Sequence, residues 1–490
     1  MAFDIRSGRN LTMLADFYEL TMANGYFYEN LGDTEVVFDM FFRRIPDRGG
    51  YAVFAGLEQI VDYLGNLHFT KEDIDFLRSK GIFGEEFLGY LANFKFCCDV
   101  WAVPEGTPVF PGEPLVTVKG PAIQAQLIET MLLLSVNHQT LIATKANRMI
   151  RAAEGRSIFE FGSRRAQGYD GAIYGARAAF IGGCDSTACL ISDQYFGVPA
   201  VGTMAHSWIQ MFDSEYDAFK AYAERYPKNC TLLVDTYNTI RSGVPNAIRV
   251  FDEVLTPLGQ RPRAIRIDSG DLTYLSKMAR QMLDAAGYSD CKIIASNSLD
   301  EYIIREMLLN GAKVDMFGVG ENLITSRSHP VFGGVYKLAA VEKDGALTPR
   351  IKLSEQSDKI TTPGFKCLYR LFNPKTGKAI ADYITLKDEV IDETQPLIIF
   401  DPKDTWKRMK LKTFKAVKMH VQIFKRGELV YQLPTLPEIK RYCQEQLDTL
   451  WEELMRFEFP HAYYVDLSQK LWDLKMEMLA TSVLIPEGES

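Results

Sequence analysis

The chain reads as an α/β protein carrying α+β elements: an irregular β/α barrel set between an amino-terminal α+β domain and a carboxy-terminal extension. Three observations predict this. Between 157 and 320, six short apolar segments alternate with amphipathic helical stretches. Each apolar segment runs into polar or glycine residues at its carboxyl end, as the strands of such a barrel do where they reach the active-site face. On both sides the alternation stops. The expected division is 1–150, 151–385 for the barrel, and 386–490, the last part mixed strand then helix.

In the first part, VVFDMFFRR (36–44) has strand composition. TKEDIDFLRSKG (70–81) predicts a short helix, with Thr70 and Asp73 spaced as a capping box and Gly81 as a stop. From Val100 to Pro121, Pro, Gly and β-branched runs such as PLVTVKG suggest a small sheet layer. AIQAQLIETMLLLSVNHQTLIATKA (122–146) is interrupted by Gln, Glu, Asn and His, so it reads as a buried helix pair and not a membrane span. The barrel strands are SIFEFG, PAVGTM, CTLLVDT, RAIRIDSG, KIIASNS and VDMFGVG, separated by helices such as SEYDAFKAYAERY and LSKMARQMLDAAG. Past Pro330, VYKLAAVEKDGALTPRIKL and CLYRLFNPKTGKAIADYITL have hairpin punctuation and predict an appended antiparallel sheet. PEIKRYCQEQLDTLWEELMRF and SQKLWDLKMEML return to helical spacing.

Composition removes several functions. Of 490 residues, 47% are apolar and 24% charged, as in an ordinary globular protein. A net charge of -8 argues against general nucleic-acid binding, and the Lys/Arg run between Lys403 and Arg426 reads as a solvated face. The opening residues lack the basic and apolar pattern of a secretory leader. Eight scattered cysteines show no zinc spacing and suggest reduced thiols. The expectation is a soluble cytoplasmic enzyme with no membrane or nucleic-acid partner.

The strand ends supply the candidate residues: Arg164 and Arg165, then His206, Asp235 and Thr236, Asp268 to Asp271, Ser296 and Asn297, and Gly318 with Gly320. One histidine among single carboxylates does not make a zinc site, whereas Asp235, Asp268 and Asp271 suit Mg²⁺ gripping a phosphate. IDSGDL (267–272) opens a helix directly after a strand, which is a phosphate cradle, and GVGEN (318–322) offers a second glycine turn. The plain alternatives are that Asp268 and Ser269 only cap the helix, and that Arg164 or Arg165 pairs with Asp170 or Asp185. No strand end carries a Schiff-base lysine, and no G-x-G-x-x-G turn joins a strand to a helix.

Taken together, FEFGSRRAQG (159–168), GTMAHSWIQMF (202–212), LLVDTYNT, IRIDSGDL, GVGENLITS and LADFYELTMANGY (14–26) resemble the nicotinate phosphoribosyltransferase family, in order, from about residue 11 to 385. The resemblance implies the type II phosphoribosyltransferase barrel and a reaction of NAD salvage. Nicotinate and 5-phosphoribosyl 1-diphosphate (PRPP) give nicotinate mononucleotide and diphosphate, with Mg²⁺ and with ATP hydrolysed alongside. It implies that His206 is the phosphorylated histidine, with Asp268 and Asp271 catalytic and near the metal. Tyr18, Arg164, Arg165, Thr203 and Arg266 would surround nicotinate, Tyr18 from the partner of a homodimer. Asp235, Ser269, Gly270, Ser296, Gly318, Gly320 and Glu321 would meet the phosphates. Glu321 departs from the small hydroxyl residue that follows G-x-G in the family pattern, and a carboxylate there must turn away or hold a cation. Nicotinamide phosphoribosyltransferase is the nearest rival, quinolinate phosphoribosyltransferase the next, and a non-catalytic PRPP or nucleotide sensor the alternative of another class.

Overall fold

The alternating segments fold into one parallel sheet of six strands in a computed structural model that describes residues 9–482. The strands are β1 (Ser157–Glu160), β2 (Ser186–Thr187), β3 (Thr231–Leu233), β4 (Ala264–Ile267), β5 (Lys292–Ser296) and β6 (Met316–Val319). Their order is β2-β1-β6-β5-β4-β3, every neighbour parallel. The last strand therefore pairs with the first, and the order is sequential around a circle except between β2 and β3. This is a barrel opened along one seam. Helices Gly168–Ile181, Glu215–Arg225, Leu272–Ala285 and Glu301–Leu309 join the staves. The strand interiors are mainly apolar and buried, and Glu160, Arg266 and Ser296 are polar residues within the strands that serve the site.

The expected strand PAVGTM is not a ladder strand. Val201 donates its amide to Thr187 and Thr187 donates to Pro199, leaving one isolated parallel bridge between Thr187 and Ala200. Pro199 has no N–H to give, and Gly202 lets the chain leave the edge, so pairing ends after one step. The neighbouring β2, two residues long, carries no periodicity by which it could be read.

The chain also divides otherwise than expected. Leu141–Pro330 form one compact unit, while the described residues up to Thr140 pack with the described ones from Val331 onward as the other. The reason is strand pairing. Glu35–Phe42, the expected early strand, lies between Val116–Pro121 and Gly334–Lys343, antiparallel to both. Residues 331–385, expected in the barrel, thus belong to the unit that holds the amino end: Gly334–Lys343 and Ala346–Pro349 extend its sheet, the next two strands lie in a second one, and the described residues of 386–490 group with the same unit. The Asp-Gly hairpin is present, with Asp344 at φ 52° and Gly345 at φ 81°, the double positive φ that a twisted two-residue turn requires. The capping box of Thr70 and Asp73 starts helix Lys71–Ser79 as expected.

A four-stranded sheet runs in the order Lys415–Lys418, Lys366–Phe372, Ala379–Leu386, Val465–Leu467. Part of the basic run, Lys415 and Lys418, lies exposed on its edge strand, where lysines discourage pairing with another chain. In the middle, fully buried Arg370 donates to both oxygens of Asp382, at 2.8 and 2.7 Å, and to the Pro108 carbonyl at 2.8 Å. All eight cysteines are free. Among the described residues no helix is long and apolar enough to cross a membrane. The first eight residues, on which the reading of the leader partly rests, lie outside the described residues.

Removing one partner of a buried ion pair strands the other charge. Arg370→Ala should lower stability by about 3–5 kcal/mol, read as a shifted urea midpoint.

Candidate active site

The site is built from the exits of β3, β4, β5 and the edge segment beside β2. Arg266, in β4, sends its guanidinium three ways. Nη2 donates to Asp268 Oδ1 at 2.9 Å, Nε to Ser296 Oγ at 2.8 Å, and Nη1 to Thr203 Oγ1 at 3.3 Å. Ser296, at the end of β5, in turn donates to the same Asp268 oxygen. The other oxygen, Oδ2, lies 3.8 Å from His206 Nε2. His206 starts the short helix His206–Gln210, and its Nδ1 is 3.0 Å from Thr236 Oγ1. That contact joins the segment after β2 to the segment after β3, across the seam that no ladder closes.

Beneath this layer, Asp235 accepts the Asp268 amide at 3.0 Å and the Ser269 hydroxyl at 2.6 Å through one oxygen, Oδ2. Its second oxygen is buried with no hydrogen-bond partner among the described residues. The DSG turn is therefore fixed from behind by a carboxylate, and Gly270 turns it at φ 82°. The cap of helix Leu272–Ala285 is Asp271, whose Oδ1 accepts the Tyr274 amide at 3.0 Å. Asp268 and Ser269 do not cap it.

At β1 the FGSRR turn is fixed by Glu160. This fully buried carboxylate accepts the Gly162 amide and, at 2.6 Å, the Thr187 hydroxyl, and burial pushes its carboxyl above the usual range. Phe161 then faces Arg266, whose guanidinium carbon stands 5.5 Å from the ring centroid. Arg164 and Arg165 are exposed on the following turn and form no ion pair among the described residues, so the pairing with Asp170 or Asp185 is not made. Gly318 is the packing partner of Phe161: a Cβ there would come within 2.6 Å of the ring.

A strained stretch follows β5. Asn297 has φ 107° and Ser298 φ 36°, both in the region that favours glycine. Glu321 pairs with Arg327 at 2.9 Å, so its carboxylate is held by a cation of the chain itself. Tyr18 lies in the other unit, exposed on helix Phe17–Tyr28, where partial burial and the neighbouring Glu129 carboxylate push its hydroxyl up.

Comparison with known proteins gives this arrangement its relatives. Family models match in three consecutive stretches: the nicotinate phosphoribosyltransferase N-terminal domain over 13–137, the nicotinate phosphoribosyltransferase (NAPRTase) family over 157–370, and its C-terminal domain over 365–475. A nicotinate phosphoribosyltransferase of Bacillus subtilis is 44% identical over 96% of this chain and 95% of its own. The chain belongs to the nicotinate phosphoribosyltransferase family. A human family member is 31% identical over 96% of both chains. The crystal structure of human nicotinic acid phosphoribosyltransferase superposes with a TM-score of 0.83, at 29% identity, covering 95% of this chain and all of that one.

For a member of this family, the connected residues are His206, Asp235, Asp268, Ser269, Arg266, Thr203 and Ser296, all named from the sequence. Gly318 borders them through Phe161, and Gly320 lies against the Phe161 carbonyl. Two participants are not among the candidates the sequence supplies, Phe161 and Glu160; Thr236 is among them, but not as the partner of His206. Phe161 and Glu160 stand inside the quoted FEFGSRR, yet a strand-end aromatic and a buried acid read as core until their neighbours are known.

Gly318→Ala should push the Phe161 ring off its place and lower kcat/KM for the pyridine substrate about tenfold or more while leaving the melting temperature nearly unchanged. Steady-state kinetics beside a thermal melt checks this.

Proposed function

We propose that the chain condenses nicotinate with PRPP to nicotinate mononucleotide and diphosphate, in NAD biosynthesis, with ATP hydrolysis coupled through phosphorylation of His206. The observation that carries it is the single network joining His206, Asp268, Arg266, Ser296 and Thr203 at the carboxyl ends of the parallel strands.

The chemistry needs little acid–base help. The pyridine nitrogen attacks with its own lone pair as the C1–O bond to diphosphate lengthens and positive charge grows on the ribose. Asp268, fixed by Arg266 and Ser296, is the carboxylate placed to favour that charge. Arg164, Arg165 and Arg266 are the groups suited to the nicotinate carboxylate, because a guanidinium offers paired N–H bonds in one plane. Phe161 supplies a ring face for the pyridine, and Tyr18 the opposite one, across a homodimer interface. Support for that dimer is the apolar surface left exposed around one helix: Leu14, Phe17, Tyr18, Met22, Tyr28 and Leu31.

The phosphates fall to the DSGD turn and to Gly318–Gly320. At Gly320 a Cβ would stand in ordinary contact, 3.4 Å, with the Phe161 carbonyl, so this turn packs directly on the FGSRR turn. Glu321 stays compatible with an anion there because Arg327 takes its charge. For Mg²⁺, no group of three carboxylate, histidine or thiol ligands stands together among the described residues. Asp268 and Asp271 each keep one oxygen outside the bonds described, which fits a hard cation that arrives bound to diphosphate. Such a cation would neutralise the leaving group.

His206 is oriented for phosphoryl acceptance. When Nδ1–H donates to Thr236, the lone pair is at Nε2, facing Asp268 and the site. A phosphoryl group there adds charge beside the DSGD turn and favours the PRPP-binding state. Free cysteines agree with a cytoplasmic location.

Turnover of nicotinate, nicotinamide and quinolinate at equal PRPP should favour nicotinate by at least about a hundredfold; a preference for nicotinamide would sink the assignment. With γ-³²P-ATP, wild type should become labelled and His206→Asn should not, while Thr236→Val should label several-fold less. A wild type that stays unlabelled removes the phosphohistidine.

A further inference from the structure

Asn322 lies two residues past Gly320, in the short helix Glu321–Ile324, and is 8% exposed. Its amide nitrogen donates to two successive carbonyls of the neighbouring loop, Ser298 at 2.8 Å and Leu299 at 3.1 Å. Only the N–H₂ end of the side chain can satisfy two carbonyls, so the amide orientation is determined. Those carbonyls belong to the loop that leaves β5 through Asn297 and Ser298 at positive φ. The same loop begins at Ser296, which bonds both Asp268 and Arg266. Its far end is closed by Asp300, which caps the next helix by accepting the amides of Tyr302 and Ile303 at 2.9 and 2.8 Å.

The strained backbone thus has anchors at both ends and one clamp in the middle, and the clamp comes from the adjacent glycine turn. A non-glycine residue at φ 107° persists only where its surroundings over-determine it. We propose that Asn322 is a positioning residue for PRPP: it holds the Asn297–Leu299 loop in its strained form, in register with the Gly318–Gly320 turn, before the sugar phosphate arrives. The inference rests on the reading above that the Ser296 and Gly320 turns hold PRPP. Without the clamp, Asn297 and Ser298 relax toward negative φ, and binding has to restore the strained form. The cost falls on PRPP and not on nicotinate, which meets Phe161 and the arginines.

The experiment is steady-state kinetics, with both substrates varied, on Asn322→Ala and on Asn322→Asp, which keeps the shape and loses the donors. The expected result is a PRPP KM raised about tenfold with nicotinate KM within twofold. Adding Asn297→Gly to Asn322→Ala should return the PRPP KM to within about threefold of wild type, since glycine takes φ 107° without strain. Equal rises in both KM values, no rise in either, or failure of the glycine to rescue would overturn the role of Asn322. Ser296→Ala serves as the separate control. If it raises the PRPP KM while Asn322→Ala does not, the clamp alone is wrong; if it leaves the PRPP KM untouched, the assignment of this loop to PRPP is wrong with it.

Discussion

Everything at the strand ends depends on how Asp268 is held. One carboxylate oxygen takes an N–H from Arg266 and a hydroxyl from Ser296, its backbone amide is taken by Asp235, and the remaining oxygen faces His206. A carboxylate fixed in this way cannot swing to meet a ligand, so in the proposed reaction its charge is set before a sugar cation forms. Preorganised charge of this kind costs no rearrangement at the moment of reaction. Arg266 couples that position to Phe161 and Thr203, because the same guanidinium faces the ring and reaches the hydroxyl.

The seam of the barrel gives the histidine its setting. A closed ladder between β2 and β3 would place main chain where the segment from Val201 to His206 now crosses the rim. Because pairing stops at Ala200, that segment is free to deliver His206 to Thr236 and Asp268. The incomplete sheet thus serves the site. Elsewhere the turns are held by buried groups one step behind the rim: Glu160 behind FGSRR, Asp235 behind DSGD and Asn322 behind the loop after β5. The exposed residues can then face a ligand while buried hydrogen bonds keep the backbone still.

Carboxylates and cations are interleaved at the rim, and the pairing decides which remain available. Glu321 is taken up by Arg327, and Asp268 is shared with Arg266, whereas Arg164 and Arg165 have no acidic partner among the described residues. The arginines are thus left exposed, as the proposed binding of a carboxylate by them requires.

The sequence by itself determined what local chemistry dictates. Alternating apolar segments and helices specified a parallel β/α sheet, the Thr70–Asp73 box and the Asp344–Gly345 pair specified their cap and hairpin, and the motif residues include most of those connected at the strand ends, because each depends on neighbours a few positions away. Tertiary structure decided what depends on distant partners. That the strand at Glu35 pairs with the one at Gly334 took the hairpin of residues 334–349 out of the barrel, since edges about 300 residues apart share hydrogen bonds that no local pattern announces. That PAVGTM makes a single bridge is partly legible in Pro199 and Gly202, but that its neighbour is the two-residue β2 was decided by the tertiary structure. Phe161, Glu160 and Thr236 gained their roles only when Arg266, Thr187 and His206 were brought against them, for a buried acid or an aromatic at a strand end has the same local signature whether it lines a site or fills a core.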